Sequence, residues 1–100
     1  MIARTWHGVV PVSKAEAYYE YLKKTGFADY KSTPGNLGLT VLRRIEGDKA
    51  HFLLITYWES MSAIHAFAGD DVEAARYYPE DAEFLIEHEP NAFHYEVLES

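Results

Sequence analysis

The sequence contains no cysteine. That excludes disulfides, thiolate metal sites and a cysteine nucleophile. Basic residues are scarce, with 9 Lys and Arg against 16 Asp and Glu and a formal net charge of −7. A surface of that sign repels phosphate backbones and anionic lipid, so neither nucleic acid nor a membrane surface is an expected partner. No apolar run approaches membrane-spanning length. The opening MIARTWHGVV is too short and too interrupted for a signal peptide, so a soluble, cytoplasmic protein is expected. Also missing are a glycine-rich phosphate loop, a G-x-S-x-G elbow and an H-E-x-x-H zinc motif.

What is present is a core. One hundred residues make one domain, 1–100, and 48% hydrophobic content with 15% aromatics can fill it. Eight tyrosines exceed what such a core needs. Each carries a hydroxyl that must find a partner or water, so some are expected to line a cavity or an interface.

Ile2 to Val10 is rich in β-branched and aromatic residues and predicts a strand up to Pro11. Ser13 to Glu16 has the S-x-x-E form of a capping box, so a helix should start there. Tyr18, Tyr19 and Leu22 give that helix its apolar stripe, and Gly26 should end it. KSTPGNLG, residues 31–38, predicts a loop. Leu39–Glu46 and Lys49–Trp58 predict two strands joined by a turn at Gly47 and Asp48. Then comes TYWESMSAIHAFAGDDVEAARYYP, residues 56–79. It predicts a strand ending at Trp58 and a helix capped by Ser60 and broken at Gly69. A second half helix should start at Asp70 and stop at Pro79. The segment around 80–90 suits either a helical turn or an extended run, and Asn91 to Leu98 closes as a strand.

The order β-α-β-β-α-β implies a ferredoxin-like α+β fold: a four-stranded antiparallel sheet with both helices on one face. Both faces of the third strand are apolar. Phe52, Leu54, Thr56 and Trp58 point one way, and His51, Leu53, Ile55 and Tyr57 the other. Two helices cover one face only. A second copy packed sheet to sheet would cover the other, so a homodimer is expected.

At this level the chain resembles the antibiotic biosynthesis monooxygenase (ABM) domain family of the dimeric α+β barrel superfamily. The features that carry the resemblance are Tyr57 to Ser60 (Y-W-E-S), the A-F helix after it, D-V-E-A-A-R-Y-Y-P, and the terminal H-Y-E-V of His94 to Val97. The resemblance implies one of three things: a cofactor-free quinol or anthrone monooxygenase, a haem-degrading enzyme, or a non-catalytic domain that binds a small ligand or dimerises. In the haem-degrading branch the key positions hold asparagine, tryptophan and a ligating histidine. The corresponding positions here are His7, Phe67 and Tyr77, which gives haem no support. No cofactor and no metal are expected.

A cofactor-free oxygenase needs an aromatic cavity and a proton carrier. His7 and His94 are the candidate bases, since a histidine titrates near working pH. The last strand should pair with the first, which could bring His94 near His7, with His51 or Glu96 close by. A structural role is the alternative for both. Trp58, Phe67, Tyr18, Tyr21 and Tyr77 are candidates to line a pocket for a small aromatic ligand, with core packing as the alternative. Arg43 and Arg44 must point to opposite faces of their strand. Arg43 is a candidate ligand contact, or else pairs with a carboxylate such as Glu16. His65 and His88 should face solvent, and Arg76 should pair with Asp70 or Asp71 on the helix surface.

Overall fold

In the computed structural model, residues 1–75, 80–89 and 91–100 are described. The first strand, β1 (Ile2–Pro11), lies at the centre of the sheet. β3 (Lys49–Trp58) runs antiparallel along one side of it, and β2 (Asn36–Glu46) pairs with the far side of β3. The other side of β1 carries two short strands from the end of the chain. β4 (Glu87–His88) pairs with Gly8 and Val9, and β5 (Phe93–Glu96) with Ile2 to Thr5. The order β2-β3-β1-β4/β5 is the ferredoxin-like arrangement, with the closing strand split in two.

Register sorts the side chains. Partners in an antiparallel pair share a face, and the period of two sends alternate residues to opposite sides. Ile2, Arg4, Trp6, Gly8 and Val10 of β1 therefore share a face with Trp58, Thr56, Leu54, Phe52 and Ala50 of β3. Each of these five β3 residues is buried. The helices cover this face. α1 (Ala15–Lys24) buries Ala15, Tyr18 and Leu22, spaced for one helical stripe. α2 (Gly26–Ser32) buries Phe27 and Tyr30, and α3 (Met61–Ala68) buries Ala63, Ile64 and Phe67. Trp58 is fully enclosed, with its indole Nε1 donating to Thr56 Oγ1 at 2.8 Å. That bond satisfies the one polar atom of a large buried ring. Gly8 is where the sheet meets Trp6 most closely: a β-carbon there would collide with the Trp6 indole and come within 3.0 Å of Leu85 Cδ2.

Several local expectations hold. Ser60 Oγ accepts from Ala63 N at 3.3 Å and caps α3, and Gly69 ends it at φ +84°. The turn falls at Gly47 and Asp48, and β3 has the expected bounds. Others are corrected. The capping box at Ser13 does not form, because Val12–Lys14 is a 3₁₀ turn and Lys14 precedes α1 without a side-chain cap. Glu16 reaches across to Arg43 Nη1 at 2.6 Å instead. Gly26 does not end helical structure but opens α2, which extends into the expected loop, while β2 begins at Asn36. The 80–90 segment takes both forms, a single turn α4 (Asp81–Phe84) followed by β4.

The second half helix does not form over Asp70 to Ala75. Its carbonyls are taken by distant partners. Arg4 Nη2 donates to Ala74 O at 3.0 Å and approaches Val72 O at 3.5 Å, and Ala92 N donates to Glu73 O at 2.7 Å. Asp71 folds a tight local turn, accepting from Glu73 N on its side chain and from Ala74 N on its carbonyl. Tyr77, Arg76 and Pro79 lie outside the described residues.

Candidate functional site

Arg4 is the one charged side chain that β1 turns toward the helices, and it is 4% exposed. Its guanidinium carbon stands 5.6 Å over the Phe67 ring. Phe67 in turn packs 4.8 Å from Tyr30 and 5.5 Å from Trp58, centroid to centroid. Nη2 is occupied by the two backbone carbonyls, while the buried Nε has no hydrogen-bond partner. Burial pushes the guanidinium below its ordinary value, with Tyr30 opposing. An arginine nevertheless keeps its proton at neutral pH.

His94 is the cross-strand partner of Arg4 in the β1–β5 ladder and shares its face. Its Nε2 is also buried without a hydrogen-bond partner. Burial lowers its pKa below the usual histidine value, the charge of Arg4 adds to this, and Glu73 opposes. The imidazole is thus neutral at pH 7 and able to accept a proton. It lines a cavity of about 290 Å³ together with Glu73, Asn91, Ala92 and Phe93.

His7 lies elsewhere. It pairs with Leu53 in the register and faces away from the helices. There its Nε2 meets His51 Nδ1 at 3.0 Å, with the two rings stacked 12° from parallel. Glu89 Oε1 is 3.9 Å from the other nitrogen of His7, and Glu46 Oε1 is 3.6 Å from His51 Nε2. The pair sits in a depression of about 350 Å³ with Leu42, Arg44 and Leu53. The expected proximity of His7 and His94 is therefore corrected. β5 does pair with β1, but His94 aligns with Arg4, three residues from His7, and an odd offset puts the two histidines on opposite faces. Among the described residues no group of three or more His, Asp or Glu is placed to hold a metal ion.

The sequence matches the family model for antibiotic biosynthesis monooxygenases over residues 14–76, more than half of the chain. The chain belongs to the antibiotic biosynthesis monooxygenase family. No curated protein matches it significantly. Solved structures of the same fold include a provisionally assigned antibiotic biosynthesis monooxygenase from Bacillus cereus, 17% identical with a TM-score of 0.69 over 99% of this chain and 94% of that one. The haem degrader MhuD of Mycobacterium tuberculosis, with two haems in its active site, is 21% identical, with a TM-score of 0.66 over 100% and 98%. The cofactor-independent oxygenase SnoaB of Streptomyces nogalater is 17% identical, with a TM-score of 0.59 over 100% and 97%. At these identities the likeness is one of fold.

Two of the three positions that the resemblance links to haem are described. His7 faces the open side of the sheet, and Phe67 is packed among Tyr30, Trp58 and Arg4. The cavity beside His94, at about 290 Å³, lies just under the roughly 300–1,000 Å³ range of ligand pockets. Tyr77, at the third of these positions, lies outside the described residues.

The remaining candidates fall in three places. Trp58 and Phe67 belong to the aromatic cluster beside Arg4. Tyr18 is buried against Phe52 and Phe84, and Tyr21 stacks on Phe84 at 5.2 Å. Burial, then the carboxylates of Asp81 and Glu80, raise the Tyr21 hydroxyl above its ordinary pKa. Arg43 is paired with Glu16 at the sheet edge. His65 and His88 are exposed. Sequence reasoning missed Arg4. The signal was there: one cation in the otherwise uncharged alternating set Ile2, Arg4, Trp6, Gly8, Val10.

Proposed function

We propose that the chain is a cofactor-independent monooxygenase-like enzyme acting on an aromatic quinol or anthrone-type small molecule, with His94 as the proton acceptor. One observation carries this reading: a half-buried histidine whose pKa is lowered by burial lines a cavity of about 290 Å³ with Glu73, Asn91, Ala92 and Phe93. Family membership supports it, because SnoaB shows the same fold running oxygenation without a cofactor.

The chemistry asks little of the protein. His94 Nε2 takes a proton from the acidic O–H or C–H of the substrate. The resulting anion gives one electron to O₂, the radical and superoxide combine to a peroxide anion, and the protonated His94 returns its proton to that peroxide. Loss of water then leaves a new carbonyl, so one oxygen atom enters the substrate and the other leaves as water.

The same reading places a homodimer on the open face. Leu42, Leu53, Phe93 and Tyr95 are exposed there, and a second sheet packed on them would cover them. His7 and His51 then belong to the dimer seam. The test of the enzyme reading is oxygen uptake by the native chain over a panel of quinols and anthrones, with no metal or cofactor added. Uptake with at least one member is expected; none across the panel would overturn the reading.

A further inference from the structure

The chain carries a net charge of −7, yet one depression in it is lined by arginines, imidazoles and leucines. It lies on the open face of the sheet and measures about 350 Å³. Its lining is His7, Leu42, Arg43, Arg44, His51 and Leu53, with no carboxylate among the described residues. The volume falls within the roughly 300–1,000 Å³ range of ligand pockets. None of these residues lines the cavity beside His94.

Register builds the depression from two adjoining rows. Leu42, Leu53 and His7 are successive cross-strand partners on β2, β3 and β1. Arg44 and His51 are partners in the next row on the same face. The first row gives an apolar floor, since both leucines are exposed. The second row gives charge. Arg44 is also exposed, and its Nη1 donates to Glu46 Oε2 at 2.9 Å. An exposed pair of that kind is weak, and a guanidinium has five N–H donors. Arg44 can therefore serve a second acceptor above the leucines.

The two histidines add a charge that depends on protons. His7 Nε2 and His51 Nδ1 are 3.0 Å apart, so one hydrogen lies between them. One further proton goes to an outer nitrogen and leaves that contact intact. The outer nitrogens face Glu89 at 3.9 Å and Glu46 at 3.6 Å. The other charged groups around the pair are Arg43 and Arg44 of β2, Glu87 of β4 and Lys49 of β3. An anion in the depression would favour the protonated pair, and the protonated pair would favour the anion.

We infer that this depression is a binding site for a small monocarboxylate with a short apolar body. The carboxylate accepts from Arg44, the apolar body lies on Leu42 and Leu53, and proton uptake by the His7–His51 pair strengthens the hold. Charge complementarity selects this occupant: a cationic, partly apolar lining on an acidic chain suits an anion that also has apolar surface. The site stands apart from the oxygenase reading.

The test is calorimetric titration of the native chain with hexanoate. Hexan-1-ol, hexylamine and inorganic phosphate are the comparisons. Hexanoate should bind about tenfold or more tightly than each, because only it offers both an anion and an apolar body. Its affinity should rise about threefold or more from pH 8 to pH 6, across the histidine range, and stay flat in the double variant His7→Gln, His51→Gln. Arg44→Gln should weaken hexanoate about tenfold or more. Lys31→Gln, an equal loss of charge on α2, should leave it unchanged. Equal binding of hexan-1-ol or hexylamine overturns the inference. So does an unchanged affinity in Arg44→Gln, or a native affinity that is the same at pH 8 and pH 6. Light scattering on the same samples separates the dimer reading of this face. A monomer that binds hexanoate sinks the dimer and leaves the site standing, whereas a dimer that fails to bind it sinks the site alone.

Discussion

His7 and His94 occupy adjacent strands yet face opposite sides of the sheet. His94 lies opposite Arg4 in the ladder, under the helices, while three residues along β1 His7 turns outward to meet His51. Two histidines of one short chain are therefore in different environments. One stands beside a buried cation and a cavity, and the other lies on the open apolar face with Leu42 and Leu53. Most of what the account predicts follows from that division.

Stability should fall on acidification through His94. Its folded-state pKa lies below the ordinary 6.5, by burial first and by the charge of Arg4 second. Below that ordinary value the unfolded chain binds more protons than the folded one, so stability drops as pH falls through it and is fully present above it. Urea melts from pH 8 down to pH 5 should show this slope in the native chain and a shallower one in His94→Gln.

Gly8→Ala should destabilise the chain by about 1–3 kcal/mol, the usual cost of overpacking a tight core. The added methyl would meet the Trp6 indole, which is tied down by its Nε1 donating to Glu89 O at 3.1 Å, and would crowd Leu85. Thermal unfolding followed by circular dichroism measures it.

Trp58→Phe should cost about 1–2 kcal/mol from the lost bond to Thr56 alone, plus a cavity contribution. Thr56→Val removes the partner hydroxyl, which also donates to Arg4 O at 3.4 Å. Chemical denaturation of the two single variants and the double variant should give less than additive losses, since both remove one bond.

The open face should be a dimer seam. Light scattering at low micromolar concentration is expected to give twice the chain mass for the native protein and the monomer mass for Leu53→Glu. A native monomer at that concentration would defeat the assignment of this face to a second copy.

The fold was legible because its signals are local or periodic. β3 announces itself by alternation, Ser60 by its capping position and Gly69 by its backbone freedom. The two-faced pattern of β3 also revealed that helices cover only one side. Where the reading failed, distant partners had overruled local preference. Asp70 to Ala75 has the composition of a helix start, but Arg4 and Ala92 claim its carbonyls from 70 and 19 residues away. Glu16 fits a capping box, but Arg43 takes it across the sheet. The candidate site was half legible. His94 could be named as a titratable residue on the last strand, but its partner depended on a register that no single sequence states, and a one-residue shift would have turned it to the other face.

The most direct measurement is oxygen uptake with an active quinol or anthrone, comparing His94→Gln with His7→Gln. The account predicts that His94→Gln loses kcat by about a hundredfold or more, the usual contribution of a general base, while His7→Gln keeps kcat close to native. Loss of turnover in His7→Gln, with His94→Gln unaffected, would contradict it.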